Sequence, residues 1–264
     1  MTTGYRALCS DFYINQKLSV KLDLPRGRET MLDLFERVRR QFPQMSSFRR
    51  YRDELALESP VGEPPHRWLA IRAANIRSGV VNPETPEDGY GLHRTVLEVA
   101  PYFLSISPLD LEYVELLYGF DLAASGNQDA LVAEALLAGS PIAAVFDIER
   151  GLPMDFQPVI GLIVAGSGGD ETPFDMAGIA NHTEVHFEVK TRSNAAESHG
   201  LEAVSGGEPI SVYLTLRRYE PVADLKDLPG VLAELSEIGE ELVESRVLPH
   251  LVAPIREAIG RLDA

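Results

Sequence analysis

The chain has 264 residues, with 24 Lys and Arg against 40 Asp and Glu and a formal net charge of −16. Hydrophobic residues make up 45% and charged residues 24%, the proportions of a folded globular protein, which excludes a disordered or collagen-like chain. Cys9 is the single cysteine, which excludes an intrachain disulfide and a thiolate metal cluster.

The start of the chain lacks an apolar signal region, and its longest apolar run, Val159 to Ala165, is far below the ~20 residues of a membrane span, so a cytoplasmic protein off the membrane is expected. Charge is uneven. Residues 1–80 hold 14 Lys and Arg against 9 Asp and Glu, and residues 81–264 hold the remaining 10 against 31. The acidic balance argues against a nucleic-acid partner. The asymmetry gives one half a reason to meet the other half, or that of a second copy.

Phe12 to Leu24 alternates, with Ile14, Leu18, Val20 and Leu22 on one side and Lys17 and Lys21 on the other, which predicts a half-buried strand. Pro25-Arg26-Gly27 reads as a turn, and Met31, Leu34, Phe35 and Val38 predict a helix over 29–41 stopped by Pro43. Strands are expected over 48–58 and 67–76 around a Gly- and Pro-containing loop. A second helix opens at Pro83 to Pro86 and carries Leu92, Val96 and Leu97 toward Pro101.

The order then restarts. A strand is expected over 109–120, then a helix capped by Asn127, and strands over 156–165, 183–192 and 209–219. Gly-containing stretches at 166–170 and 194–207 read as loops. Pro229 opens a last helical segment with kinks expected at Pro249 and Pro254. The reading is α+β: two ferredoxin-like βαββα-type halves, residues 1–107 and 108–264, forming a largely antiparallel sheet with helices on one face. The second half reads βαβββα and ends in a long helix, and one fused domain is the alternative to two halves. A doubly wound parallel sheet is the alternative, but its strands read as continuous apolar runs rather than alternating ones.

Two stretches, Tyr113 to Asp121 with Gly126 to Leu136 and Pro209 to Tyr219, resemble a family of uncharacterised conserved bacterial proteins of about this length. The resemblance implies a bacterial intracellular protein and brings no activity, cofactor or catalytic residue with it.

Chemistry-bearing patterns are few. His182, Glu184 and His186 share one face of a strand and form a candidate metal-binding set for a hydrolase-like enzyme. Residues i and i+4 of a strand lie ~13 Å apart, too far for both histidines to reach one ion unless the strand bends. The glycines at 166–169 lack the Gly-Lys-Ser/Thr ending of a phosphate loop. Phe48 to Arg52 is the one basic-aromatic cluster, with Arg37, Arg39 and Arg40 expected on a solvated helix side. Cys9 has no histidine nearby in sequence, and His66, His93, His199 and His250 stand singly.

Alternation defines an open sheet face opposite Leu57, Leu69, Ile71, Val185, Phe187, Val212, Leu214 and Leu216. It is expected to carry Trp68, Arg72, Tyr213, Arg217, Tyr219, Arg50 and Arg52 as binding residues, residue types enriched at interfaces. The expected function is a non-enzymatic binding or self-assembly protein without cofactor, using the open face or edge of its sheet. A homo-oligomer is expected, most simply a twofold dimer, with a protein partner also possible. The metal-dependent hydrolase is the alternative.

Overall fold

The computed structural model describes residues 5–165 apart from 61, 63, 147 and 150, then residues 182–191, 208–219 and 222–262. Among these residues nine strands form one sheet: β1 (Asp11–Val20), β2 (Ser47–Arg50), β3 (Leu55–Glu58), β4 (His66–Ile71), β5 (Asn75–Val81), β6 (Leu111–Leu122), β7 (Val159–Ala165), β8 (His182–Lys190) and β9 (Ile210–Tyr219). The helices are α1 (Arg28–Gln41), α2 (Pro86–Phe103), α3 (Gln128–Leu137), α4 (Leu228–Leu242) and α5 (Ala253–Leu262), with a π-helical stretch, Val243–Val252, joining the last two.

The strand order is β2-β3-β4-β5-β1-β6-β9-β8-β7, and every neighbouring pair is antiparallel. The protein is therefore α+β. β1 and β6 pair from Asp11↔Asp121 to Val20↔Leu111, so the sheet runs unbroken between the two halves of the chain. In each half a first strand is followed by a helix and then by a meander that returns to pair with that first strand.

One face of the sheet is buried by helices. α2 packs on β1 and β5, α4 packs on β6 and β9, and α1 and α3 lie against α2 and α5 respectively. Ile14, Leu18, Leu69, Val80, Val114, Leu116, Tyr118, Phe120, Val185, Leu214 and Leu216 point into this layer and are fully or almost fully buried. α2 starts where the sequence dictates: the Thr85 side chain accepts from Asp88 N, Asp88 answers at the Thr85 backbone, and Pro86 takes the first turn. Asn127 caps α3 by accepting from Ala130 N at 3.0 Å.

A buried polar contact ties α2 to the sheet. His93 is fully buried, its Nε2 donates to the carbonyl of Ile14 at 3.1 Å, and its Nδ1 is left to accept from Ser78 Oγ at 2.7 Å. Burial without a counter-charge pulls the imidazole pKa down to about 3, against a weaker upward effect of the Ile14 contact.

Several expectations are corrected. The strand expected over 48–58 is a hairpin, β2 and β3, turning at 51–54, where Tyr51 N donates to Glu54 O at 2.9 Å. The strand expected over 67–76 is also a hairpin, β4 and β5, closed by Arg72 N donating to Asn75 O at 2.9 Å. The first half is thus βαββββα rather than βαββα. β1 ends at Val20, so Leu22 lies beyond it and is 66% exposed rather than in the core. Phe187 is half-buried, packed against the core rather than within it. Pro249 lies within the π-helical stretch Val243–Val252, which continues the last helical segment. The glycine-containing loops expected at 166–170 and 194–207 lie outside the described residues. No helix among the described residues is long and apolar enough to cross a membrane.

Candidate functional site: the open face and the sheet edge

The face of the sheet turned away from the helices is crossed by rows of side chains set by strand register. One row runs Arg77, Lys17, Glu115, Arg217, Glu184, since Lys17 opposes both Arg77 and Glu115, and Arg217 opposes both Glu115 and Glu184. Opposite charges alternate along most of it, as favourable cross-strand pairs do. The Arg217 side chain donates to Glu115 Oε2 from Nε at 2.9 Å and again from Nη2, and reaches Tyr219 Oη at 3.3 Å. Its guanidinium also lies 4.8 Å from the Tyr113 ring centroid, and Tyr113 meets Tyr219 edge-on at 5.4 Å. Lys17 Nζ donates to Tyr113 Oη at 2.5 Å.

The flanking rows hold aromatic rings over glycines. A Cβ on Gly119 would lie 2.2 Å from the Tyr13 ring, and one on Gly79 would lie 2.2 Å from the Trp68 ring. These two glycines are the seats that let the rings lie flat on the sheet. Tyr13 Oη donates to Asp121 at 3.2 Å and Ser211 Oγ to the same carboxylate at 2.6 Å. Burial, with hydrogen bonding to Tyr213 and the Asp121 charge, pushes the Tyr13 phenol far above its ordinary pKa. Tyr213 sits 6.4 Å from Tyr13 and 5.5 Å from Lys190 Nζ.

The expected site residues are thus partly assembled. Trp68, Tyr213, Arg217 and Tyr219 do share the open face. Arg72 stands at the tip of the β4–β5 hairpin and, with Arg77, holds Glu54: Arg72 Nε is 2.8 Å from Glu54 Oε2, and Arg77 Nη2 also contacts that oxygen. Burial pushes the Glu54 carboxyl up, but these two arginines outweigh it and hold the pKa below the usual value. Arg50 is not on the open face. It opposes Leu55, which opposes Ile71, so it points to the helix side. Arg52 lies in the turn before β3, outside any strand.

His182, Glu184 and His186 alternate along β8, and His186 Nε2 is 3.7 Å from Glu184 Oε2. Among the described residues no group of three or more His, Cys, Asp or Glu is placed to hold a metal ion. Cys9 is half-buried, and burial, with Asp11 and Asp121 nearby, pushes its thiol pKa up to about 12, so it is a protonated and unreactive thiol.

The sheet's two edges differ. β2 is four residues long and carries Arg49 and Arg50, which blunt it. β7, Val-Ile-Gly-Leu-Ile-Val-Ala, has no charge and no proline. It pairs with β8 on one side only, and among the described residues its other edge has no strand beside it. Val159, Ile160, Leu162 and Ile163 are 57%, 54%, 50% and 41% exposed, covering both faces of the strand. The sequence marked this run as a strand but not as an exposed one. A continuous apolar run has the pattern of an interior strand, and only the long-range pairing places it at an edge.

No protein-family model matches the chain, and no curated protein matches it. Among solved structures, the di-domain ARO/CYC BexL from the BE-7585A biosynthetic pathway aligns at 12% identity over 78% of this chain and 75% of that chain, with a TM-score of 0.22. A likeness at that score carries no argument about fold or activity.

Proposed function

We propose that the protein is a binding and self-assembly protein whose apolar edge strand, β7, is completed by a second copy of the chain. The observation that carries this is the exposure of Val159, Ile160, Leu162 and Ile163 on an uncharged strand at the sheet's end. Among the described residues such an edge leaves backbone donors and acceptors unpaired and presents apolar side chains, the two requirements of strand addition. Two β7 strands meeting antiparallel about a twofold axis make a self-complementary contact, the commonest kind in soluble oligomers. The open face plays a lesser part, because Arg217, Tyr219 and Trp68 already make contacts within the chain. We also infer that the two halves are related ferredoxin-like units whose hairpin has been lengthened into a meander. The shared order of strand, helix, meander and helix supports that reading.

Light scattering tests the assembly. The native chain is expected at twice its 29.0 kDa mass and Leu162→Lys at 29.0 kDa with unchanged circular dichroism. Because apolar burial and backbone pairing carry the contact, the mass is expected to be the same at low and high salt. A native chain that stays at 29.0 kDa at every concentration overturns the reading.

A further inference from the structure

A second surface, independent of the β7 edge, stands out by its charge. Between the first turn of α1 and the β2–β3 hairpin lies a cavity of about 520 Å³ that brings together Arg26, Arg28, Arg50 and Arg52. The four come from two separate stretches. Arg26 and Arg28 belong to the turn and first residue of α1, and Arg50 and Arg52 to the end of β2 and the turn after it. The pairing of Arg50 with Leu55, which turns it to the helix side, is what aims it at α1.

In a chain with 40 acidic and 24 basic residues, arginines find carboxylates easily, and Arg72, Arg77, Arg94, Arg217, Arg218 and Arg261 all do. The four at the cavity make no ion pair or hydrogen bond through their side chains among the described residues. Of the two carboxylates at the rim, Glu54 is already held by Arg72 and Arg77, which leaves Asp53 alone against four guanidinium groups. Gly27, the residue before α1, offers no side-chain cap, so the positive end of the helix adds to the same field. Between the arginines the wall is apolar, formed by Met31, Leu32, Phe48 and Leu55.

We propose that this cavity binds a small phosphorylated ligand with an apolar or aromatic body. Guanidinium groups match phosphate oxygens in a bidentate fork and keep their charge at every physiological pH. The volume falls within the range of small-molecule sites, and an apolar wall beside a few polar groups is their usual lining. Phe48 offers a ring for the body of the ligand while the arginines take its phosphates.

Isothermal titration calorimetry of the full chain tests this with ADP, inorganic pyrophosphate and adenosine as probes. One ADP is expected to bind per chain, pyrophosphate more weakly for want of the body, and adenosine without measurable heat. Arg28→Ala and Arg50→Ala are each expected to weaken ADP about tenfold or more, the effect of losing a charge-assisted hydrogen bond. Asp53→Asn is expected to tighten it by removing a negative charge from the cavity rim. The double variant Arg39→Ala/Arg40→Ala, which removes two exposed charges from α1 outside the cavity, is expected to leave ADP affinity near the native value. Absence of heat with both ADP and pyrophosphate overturns the proposal. So does equal weakening by the Arg39/Arg40 variant, or tighter binding of a single-stranded oligonucleotide than of ADP.

Discussion

Ser78 Oγ and His93 Nδ1 lie 2.7 Å apart beneath the sheet, joining β5 to α2 through a neutral imidazole. With its pKa pulled down to about 3, His93 stays uncharged in the fold while an unfolded chain protonates it below about 6.5. The unfolded state then binds more protons, so this contribution is complete above about pH 6.5 and is lost as pH falls toward 3. The loss approaches about 4 kcal/mol at the bottom of that window. Urea melts from pH 7 to pH 5 are expected to show the native chain losing stability and His93→Gln, weaker at pH 7, losing much less.

Gly119→Ala is expected to displace the Tyr13 ring, since the added Cβ would lie 2.2 Å from it. A clash of this kind in a packed sheet costs about 1–3 kcal/mol. The displaced ring also leaves Asp121 without the Tyr13 hydroxyl. Thermal denaturation of Gly119→Ala and of Gly119→Ala/Tyr13→Ala checks the cause, because removing the ring relieves the clash.

Leu214 is fully buried where β9 faces the helix layer. Leu214→Ala is expected to cost about 2–5 kcal/mol as a cavity in that core, read from urea midpoints at unchanged slope. A harmless substitution would mean that β9 presents its other side to the helices.

Arg217 and Glu115 form a partly buried, two-pronged pair on the open face. A double-mutant cycle with Arg217→Met and Glu115→Gln is expected to give a coupling of about 1–2 kcal/mol, larger than an exposed pair supplies. The coupling is expected to fall only slightly with added salt, since part-buried charges are weakly screened.

Much of this arrangement was legible in the sequence. Alternation in β1, β4, β8 and β9 sets which side of each strand is buried, and that parity puts Trp68, Tyr213, Arg217 and Tyr219 on one face. Asn127 announced α3 because its side chain has one good use at that position. The two hairpins were not legible. Residues 72–75, Arg-Ala-Ala-Asn, turn the chain without glycine or proline, so the usual punctuation is missing. Reading residues 48–58 as one strand carried the alternation straight through the turn at 51–54, which placed Arg50 on the wrong face. The ladder resets the phase there, because Arg50 pairs with Leu55. The arginine cavity was hidden for the same reason: its two pairs are more than twenty residues apart and meet only once β2 folds back on β3.

The central β1–β6 ladder has a consequence for the order in which the chain is made. β1 leaves the ribosome before both of its partners and finds β5 first, but its other edge waits for β6, which ends at Leu122. Until then the interior side of the future sheet is an open edge lined by Phe12, Ile14 and Leu18. What is the best-protected seam of the finished molecule is its most vulnerable surface during synthesis. The ten-residue pairing that closes it is the step at which two nascent pieces become one protein.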